Sequence, residues 1–260
     1  MKKKIAVLFG GNSTEYEVSL QSAYSVLKNM DKEKYEIIPI GITREGEWYH
    51  YTGEYSHIED NTWMNEAEHI FPIVVSQSRL DKSLIQFSKE HCEWIKIDLA
   101  FPVLHGKNGE DGTLQGLFEL AGIPVVGCGT LSSALCMDKD RAHIVVQAMG
   151  IAVPKGITLK QKEQQEALLK IDKSLTYPMF VKPIRSGSSF GITKVNETSQ
   201  LEKAVENAFQ YDDEVIVEEA IDGFEVGCAV LGKDELMVGR VDEIELSGGF
   251  FDFTEKYTLQ

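Results

Sequence analysis

Lys182 ends an apolar run and is followed by Pro183-Ile184-Arg185-Ser186-Gly187-Ser188-Ser189-Phe190-Gly191, a loop of glycines and hydroxyls that returns into a second apolar run. Such a loop can fold over triphosphate oxygens. Its backbone N–H groups and hydroxyls donate and Lys182 supplies charge, each charge-assisted hydrogen bond contributing about 1.5 to 3 kcal/mol. The Gly-Lys-Ser/Thr ending and the helix of a Walker A loop are both missing, as is the glycine spacing of a dinucleotide fingerprint. Read plainly, the same residues make a flexible β-hairpin.

Three further groups carry chemistry. Gly10-Gly11-Asn12-Ser13 sits where a strand turns into a helix, so its N–H groups suit a carboxylate or phosphate, and Glu15 just beyond could hold an ammonium. The plain alternative is a glycine turn with an acid complementing the helix dipole. His105-Gly106-Lys107-Asn108-Gly109-Glu110-Asp111-Gly112-Thr113 follows an apolar strand and lies on the rim where α/β sheets bind ligands, although Asp111-Gly112 is also ordinary turn chemistry. It lacks the EF-hand spacing for calcium. Glu218 and Glu219 end an apolar strand, with Glu225 beyond, and could serve an amino group or a ribose diol, or simply be solvated.

The elements that must position these groups alternate. Lys4 to Phe9 reads as a strand, Val18, Ala23, Val26 and Leu27 recur at helical spacing, and 35–40 and 95–104 are further strands. Residues 44–93 read as a peripheral hairpin and insertion. Residues 113–121 form a helix closing on Gly122, and 123–127 the next strand. The pattern predicts a doubly wound, mostly parallel α/β sheet. One helix is expected from Leu131 through Arg141 to Met149. Beyond it, 157–217 reads as an α+β unit with two helices on an antiparallel sheet, and 225–231 with 236–246 as strands of a third unit. The expected domains are therefore 1–136, 137–217 and 218–260.

The composition is globular, with 43% hydrophobic and 26% charged residues among 260. A net charge of -15 spread along the chain argues against nucleic acid and anionic membranes as partners. The apolar run after the initial lysines is too short for a signal peptide, and no stretch approaches a membrane span. Cys92, Cys128, Cys136 and Cys228 show neither metal spacing nor a disulfide framework, which fits a reducing cytoplasm.

Taken in order, several motifs together resemble the D-alanine:D-alanine ligase family of the ATP-grasp superfamily. They are Phe9 to Glu15 with Glu17-Val18-Ser19-Leu20, Leu104-His105-Gly106 with Gly109 to Gly116, Met137-Asp138-Lys139, Lys182-Pro183 with Gly187-Ser188-Ser189 and Gly191, and Glu255-Lys256-Tyr257. Within the family, the run that includes residues 41–54 and 249–259 is similar to the VanG type of D-alanine:D-serine ligase. The resemblance implies a pre-ATP-grasp α/β domain, a central ATP-grasp domain and the start of a C-terminal one.

It also implies a mechanism. ATP phosphorylates the carboxylate of a first D-alanine, and the amine of a second D-amino acid attacks the acyl phosphate, with catalysis resting on positioning and charge neutralisation. Glu15 is expected to hold the first ammonium, bonded with Ser188 and Tyr257 in a linking triad, and His105 to lie beside the substrates. Lys139, Lys182 and the backbone of Ser188 and Ser189 are expected at the ATP phosphates. Glu218, the backbone of Glu219 and Ile221, and Glu225 are assigned to adenine and ribose, and Lys256 to the transferred phosphate from a closing loop. Glu255-Lys256-Tyr257 resembles the dipeptide-forming version, which favours an amine nucleophile.

Family members continue past residue 260 with the magnesium ligands and an arginine for the tetrahedral intermediate, so no metal ligand is named and the chain alone is expected to turn over little. A homodimer is expected from the family. Another ATP-grasp carboxylate-amine ligase and a non-catalytic nucleotide- or D-alanine-binding piece are the rival readings.

Overall fold

The computed structural model describes residues 2–163, 168, 170, 171 and 173–244. The chain divides into two compact units. One comprises Met1–Ile151 with the loop residues Ile184–Gly187, the other Ala152–Pro183 with Ser188–Gln260.

The first unit is built on a seven-stranded sheet. Its parallel part consists of β1 (Lys3–Gly10), β2 (Tyr35–Ile42) and β7 (Leu99–Pro102), with β1 between the other two. Side chains alternate across β1, so Ile5, Val7 and Phe9 pack with Leu20, Ala23 and Leu27 of α1 (Tyr16–Asn29) and share their core with Ile58 of the short α2 (Ser56–Glu59). Ala6 and Leu8 face the opposite core with Ile38, Ile40 and Phe118 of α3 (Thr113–Ala121). Burial on both faces is why β1 reads as an unbroken apolar run.

Residues 44–93 contribute more to the sheet than a peripheral insertion. Strands β3 (Trp48–Tyr51), β4 (Ile70–Val75), β5 (Ser83–Phe87) and β6 (Cys92–Lys96) extend it as an antiparallel meander, so its parallel part occupies one end. The strand expected over 95–104 is two strands. It breaks at Asp98, whose N–H donates to Lys4 O at 2.8 Å and whose carboxylate accepts from Lys4 N–H at 2.7 Å. That exchange hands the chain from β6 to the neighbour of β1. The strand expected at 123–127 shrinks to a single parallel bridge between Ala100 and Val125.

The helix expected from 131 to 149 is also divided, into α4 (Thr130–Met137) and α5 (Lys139–Ala148). Asp138 between them leaves the helical conformation (φ -86°, ψ 101°) and caps α5 by accepting from Arg141 N–H at 2.9 Å. The acid that looked like one more helical residue is an N-cap.

The second unit carries a four-stranded antiparallel sheet in the order β10-β9-β11-β8, formed by β8 (Gly156–Lys160), β9 (Met179–Pro183), β10 (Thr193–Val195) and β11 (Glu214–Glu219). Helix α6 (Thr198–Ala208) buries Leu201, Ala204, Val205 and Ala208, an i, i+3, i+4, i+7 stripe, and the same core contains Val181, Val215 and Val217. The sheet and this helix follow the expected α+β arrangement, and the other expected helix falls partly outside the described residues. Strands β12 (Glu225–Gly232) and β13 (Leu236–Ile244) pair as an antiparallel hairpin.

Candidate active site

In the first unit, Glu15 sits at the N-terminal boundary of α1 and is only 4% exposed. Its N–H donates to Ser13 Oγ at 3.1 Å. Ser19, one turn on, ties the helix to the strand ends: its hydroxyl accepts from Gly10 N–H at 2.9 Å and donates to Val103 O in a short bond. Gly10 and Gly11 adopt φ of 85° and 103°, which a side chain would oppose.

Most N–H groups of this turn already have protein partners. Gly10 N–H goes to Ser19, Gly11 N–H to Ile42 O at 2.8 Å, Ser13 N–H to Gly11 O at 3.0 Å and Glu15 N–H to Ser13. The glycines shape the turn, and the chemistry of this corner rests on the Glu15 carboxylate.

His105 follows β7, half-buried, with Nε2 3.1 Å from Ser22 Oγ on α1. Sequence reasoning missed Ser22, yet it lies two helical turns after Glu15 and therefore on the same helix face. The acids of the His105 loop build the loop itself. Glu110 accepts from Gly106 N–H at 2.6 Å, and Asp111 accepts from Asn108 N–H at 2.8 Å and Thr113 N–H at 3.0 Å.

Lys139 opens α5, and its ammonium donates to Ser186 O at 2.7 Å and Ile184 O at 3.2 Å. The lysine grips the loop that follows Lys182 through backbone carbonyls. Gly187, in the same loop segment, approaches the Glu15 carboxylate closely: a Cβ there would stand 2.9 Å from Oε2.

In the second unit, Lys182 at the end of β9 donates to Glu218 Oε2 at 2.6 Å on neighbouring β11. Glu218 is 1% exposed. Ser188 and Ser189 hold positive φ of 45° and 62°, a strained left-handed pair after Gly187. Glu219 exchanges two contacts with Lys155: its N–H donates to Lys155 O at 2.9 Å and its carboxylate accepts from Lys155 N–H at 3.0 Å. Lys155 was not foreseen, since no motif surrounds it. Ile221 and Glu225 are exposed, Glu225 at the start of β12. Lys256 and Tyr257 lie outside the described residues.

Each unit thus gathers part of the expected set. The first joins Glu15, the His105 loop, Lys139 and residues 184–187; the second joins Lys182, Glu218 and Glu219. Lys182 keeps a quarter of its side chain exposed, and an ammonium has three N–H donors, so a donor remains that fits a phosphate oxygen. Among the described residues, no group of three or more His, Cys, Asp or Glu side chains could hold a metal ion.

The D-ala D-ala ligase N-terminus family matches residues 4–128, and the D-ala D-ala ligase C-terminus family matches residues 145–260. A D-alanine–D-alanine ligase of Caldicellulosiruptor bescii is 46% identical over 260 residues, which is 98% of this chain and 70% of that protein. The vancomycin B-type resistance protein VanB of Enterococcus faecalis is 48% identical over 251 residues, 96% of this chain and 70% of its own. Among solved structures, the VanG D-Ala:D-Ser ligase from Enterococcus faecalis is 66% identical with a TM-score of 0.88, covering 100% of this chain and 74% of that one. The D-alanine-D-alanine ligase from Coxiella burnetii is 35% identical with a TM-score of 0.82, over 94% of this chain and 71% of that one. With both halves matched by the family and the fold shared with its solved members, this chain belongs to the D-alanine–D-alanine ligases of the ATP-grasp fold.

Proposed function

We propose that this chain joins D-alanine to a second D-amino acid, D-serine in preference to D-alanine, at the expense of ATP and through a D-alanyl phosphate. The observation that carries the substrate class is Glu15, a buried carboxylate beside the strand-end glycine turn, the kind of group that pairs with an amino-acid ammonium. The preference for D-serine is supported by the 66% identity to the VanG D-Ala:D-Ser ligase. A D-alanine-only activity is the second reading, favoured by the 46% identity to the Caldicellulosiruptor bescii enzyme.

In the proposed reaction, Glu15 holds the ammonium of the first D-alanine, linked with Ser188 and Tyr257, while His105, braced by Ser22, lines the substrates. A carboxylate oxygen of that D-alanine takes the γ-phosphoryl group and ADP leaves. Lys139, Lys182, Lys256 and the backbone of Ser188 and Ser189 neutralise phosphate charge, while Glu218, Glu219, Ile221 and Glu225 border the nucleoside. The amine of the second amino acid then attacks the carbonyl carbon, phosphate departs, and the amine gives up a proton. Charge neutralisation in a water-poor site is the main source of rate in such transfers. Magnesium, when bound, would neutralise phosphate charge, and no residue here is assigned to it.

The proposal places the product in peptidoglycan precursors, where a D-serine end would serve vancomycin resistance, with a homodimer in the cytoplasm. Among the described residues, no helix is long and apolar enough to cross a membrane. The test is coupled ADP release on the 260-residue chain and on one carried to the length of its relatives, with D-alanine, L-alanine, and D-alanine plus D-serine. Release that requires D-alanine, ignores L-alanine and rises with D-serine supports the proposal. Release independent of D-alanine sinks it, and saturation by D-alanine alone selects the second reading.

A further inference from the structure

Two loops meet the Glu15 carboxylate with glycines. A Cβ at Gly187 would stand 2.9 Å from Glu15 Oε2 and 3.1 Å from Oε1, distances that Cβ atoms essentially never show or show rarely. A Cβ at Gly106 would overlap Oε2 and stand 2.9 Å from Ser13 Oγ. The two glycines differ in why they are glycines. Gly106 adopts φ +68°, so its backbone alone disfavours any side chain, whereas Gly187 is not among the positive-φ residues and could carry an alanine without backbone strain.

We infer that Gly187 is a positioning residue for amino-acid recognition: its missing side chain leaves the space beside the Glu15 carboxylate, so the orientation of that carboxylate toward an ammonium depends on a glycine at 187. Glu15 cannot retreat easily. It is buried, its N–H is bonded to Ser13, and Ser19 one turn on pins the helix to Gly10 and Val103. A methyl group at 187 therefore turns the carboxylate instead of shifting the helix. The loop is held from its other side by Lys139, which donates to Ile184 O and Ser186 O, so it cannot simply move away. The inference rests on the proposed role of Glu15.

The test uses the chain carried to the length of its relatives, with Gly187→Ala, Glu15→Asp, the double variant and Glu15→Gln. Gly187→Ala is expected to raise the apparent KM for D-alanine about tenfold or more, the loss of part of a charge-assisted hydrogen bond, while the KM for ATP moves less than about twofold. The shorter Asp retreats from the added methyl, so the double variant is expected to be less impaired than the product of the two single effects. If Gly187→Ala does not fold, the double variant is expected to fold where it does not. Equal effects on the ATP and D-alanine KM, multiplicative single effects, or failure of both variants to fold would overturn the inference. Glu15→Gln separates the two levels: no rise in the D-alanine KM defeats the role of Glu15 itself, whereas a rise with no effect of Gly187→Ala defeats only the inference about Gly187.

Discussion

Lys182 Nζ lies 2.6 Å from Glu218 Oε2, a diagonal pair across two adjacent antiparallel strands. Glu218 is almost fully buried while Lys182 keeps a quarter of its side chain exposed. Removing the lysine takes the opposite charge from a buried carboxylate, which costs more than the pair contributes. Lys182→Ala is expected to lower stability by about 2 to 3 kcal/mol, somewhat below the cost for a fully buried pair. Lys182→Met with Glu218→Gln should recover most of that loss. Urea unfolding of the parent and the two variants checks this, and a double variant as unstable as the single one would contradict it.

Trp63 is fully buried, its indole N–H donates to Tyr16 Oη at 3.1 Å, and Tyr16 directly follows Glu15. The ring also closes the space over Gly41, where a Cβ would stand 2.5 Å from it. Trp63→Ala is expected to cost about 3 to 5 kcal/mol through the cavity it leaves. Tyr16→Phe, which removes only the acceptor, should cost about 1 to 2 kcal/mol because the indole N–H is then buried without its partner. Thermal and urea unfolding distinguish the two magnitudes.

Asp138 caps α5 and pairs with Arg141 at 2.8 Å, so that Lys139 leaves the helix start aimed at the 184–186 carbonyls. Asp138→Ala is expected to cost about 1 kcal/mol, with Asp138→Asn nearly neutral because Asn also caps. The KM for ATP should rise in the alanine variant and recover in the asparagine variant. Unchanged ATP dependence in both would detach Lys139 from the nucleotide.

His57 Nδ1 lies 2.9 Å from Glu66 Oε1, and Tyr51 donates its hydroxyl to the other oxygen of Glu66. The Glu66 carboxylate pushes the His57 pKa above its ordinary 6.5, and the Tyr51 hydrogen bond, then His57, hold Glu66 below its ordinary 4.5. A raised histidine pKa means the charged form is favoured in the fold, so its stabilisation is full below pH 6.5 and fades as pH rises through the folded value. The difference in Tm between the parent and His57→Gln should therefore be largest near pH 6 and shrink above neutrality. A difference that grows with pH would reverse the assignment.

The elements were legible where local chemistry and tertiary role agreed. The unbroken apolar run of β1 and the Gly122 stop both stand where the pattern put them. The misreadings fall on residues whose side chains serve the backbone. Asp98 and Asp138 look like members of a strand and a helix, yet their carboxylates accept from main-chain N–H groups and end those elements. The meander from β3 to β6 was hidden because its strands are short and their burial does not alternate cleanly. At the site, residue types gave Glu15, His105 and Lys182, but not Ser22 or Lys155, whose partners lie far away in sequence. Nor can a sequence show that the N–H groups of Gly10 and Gly11 are already taken.

The most direct test of the account is product identity. With ATP, magnesium and equal concentrations of D-alanine and D-serine, mass spectrometry of the products made by the chain at the length of its relatives should find D-alanyl-D-serine in excess of D-alanyl-D-alanine, with one ADP formed per dipeptide. Glu15→Gln should depress both products together. ATP consumed with no dipeptide formed, or dipeptide yields untouched by Glu15→Gln, would contradict the account at its centre.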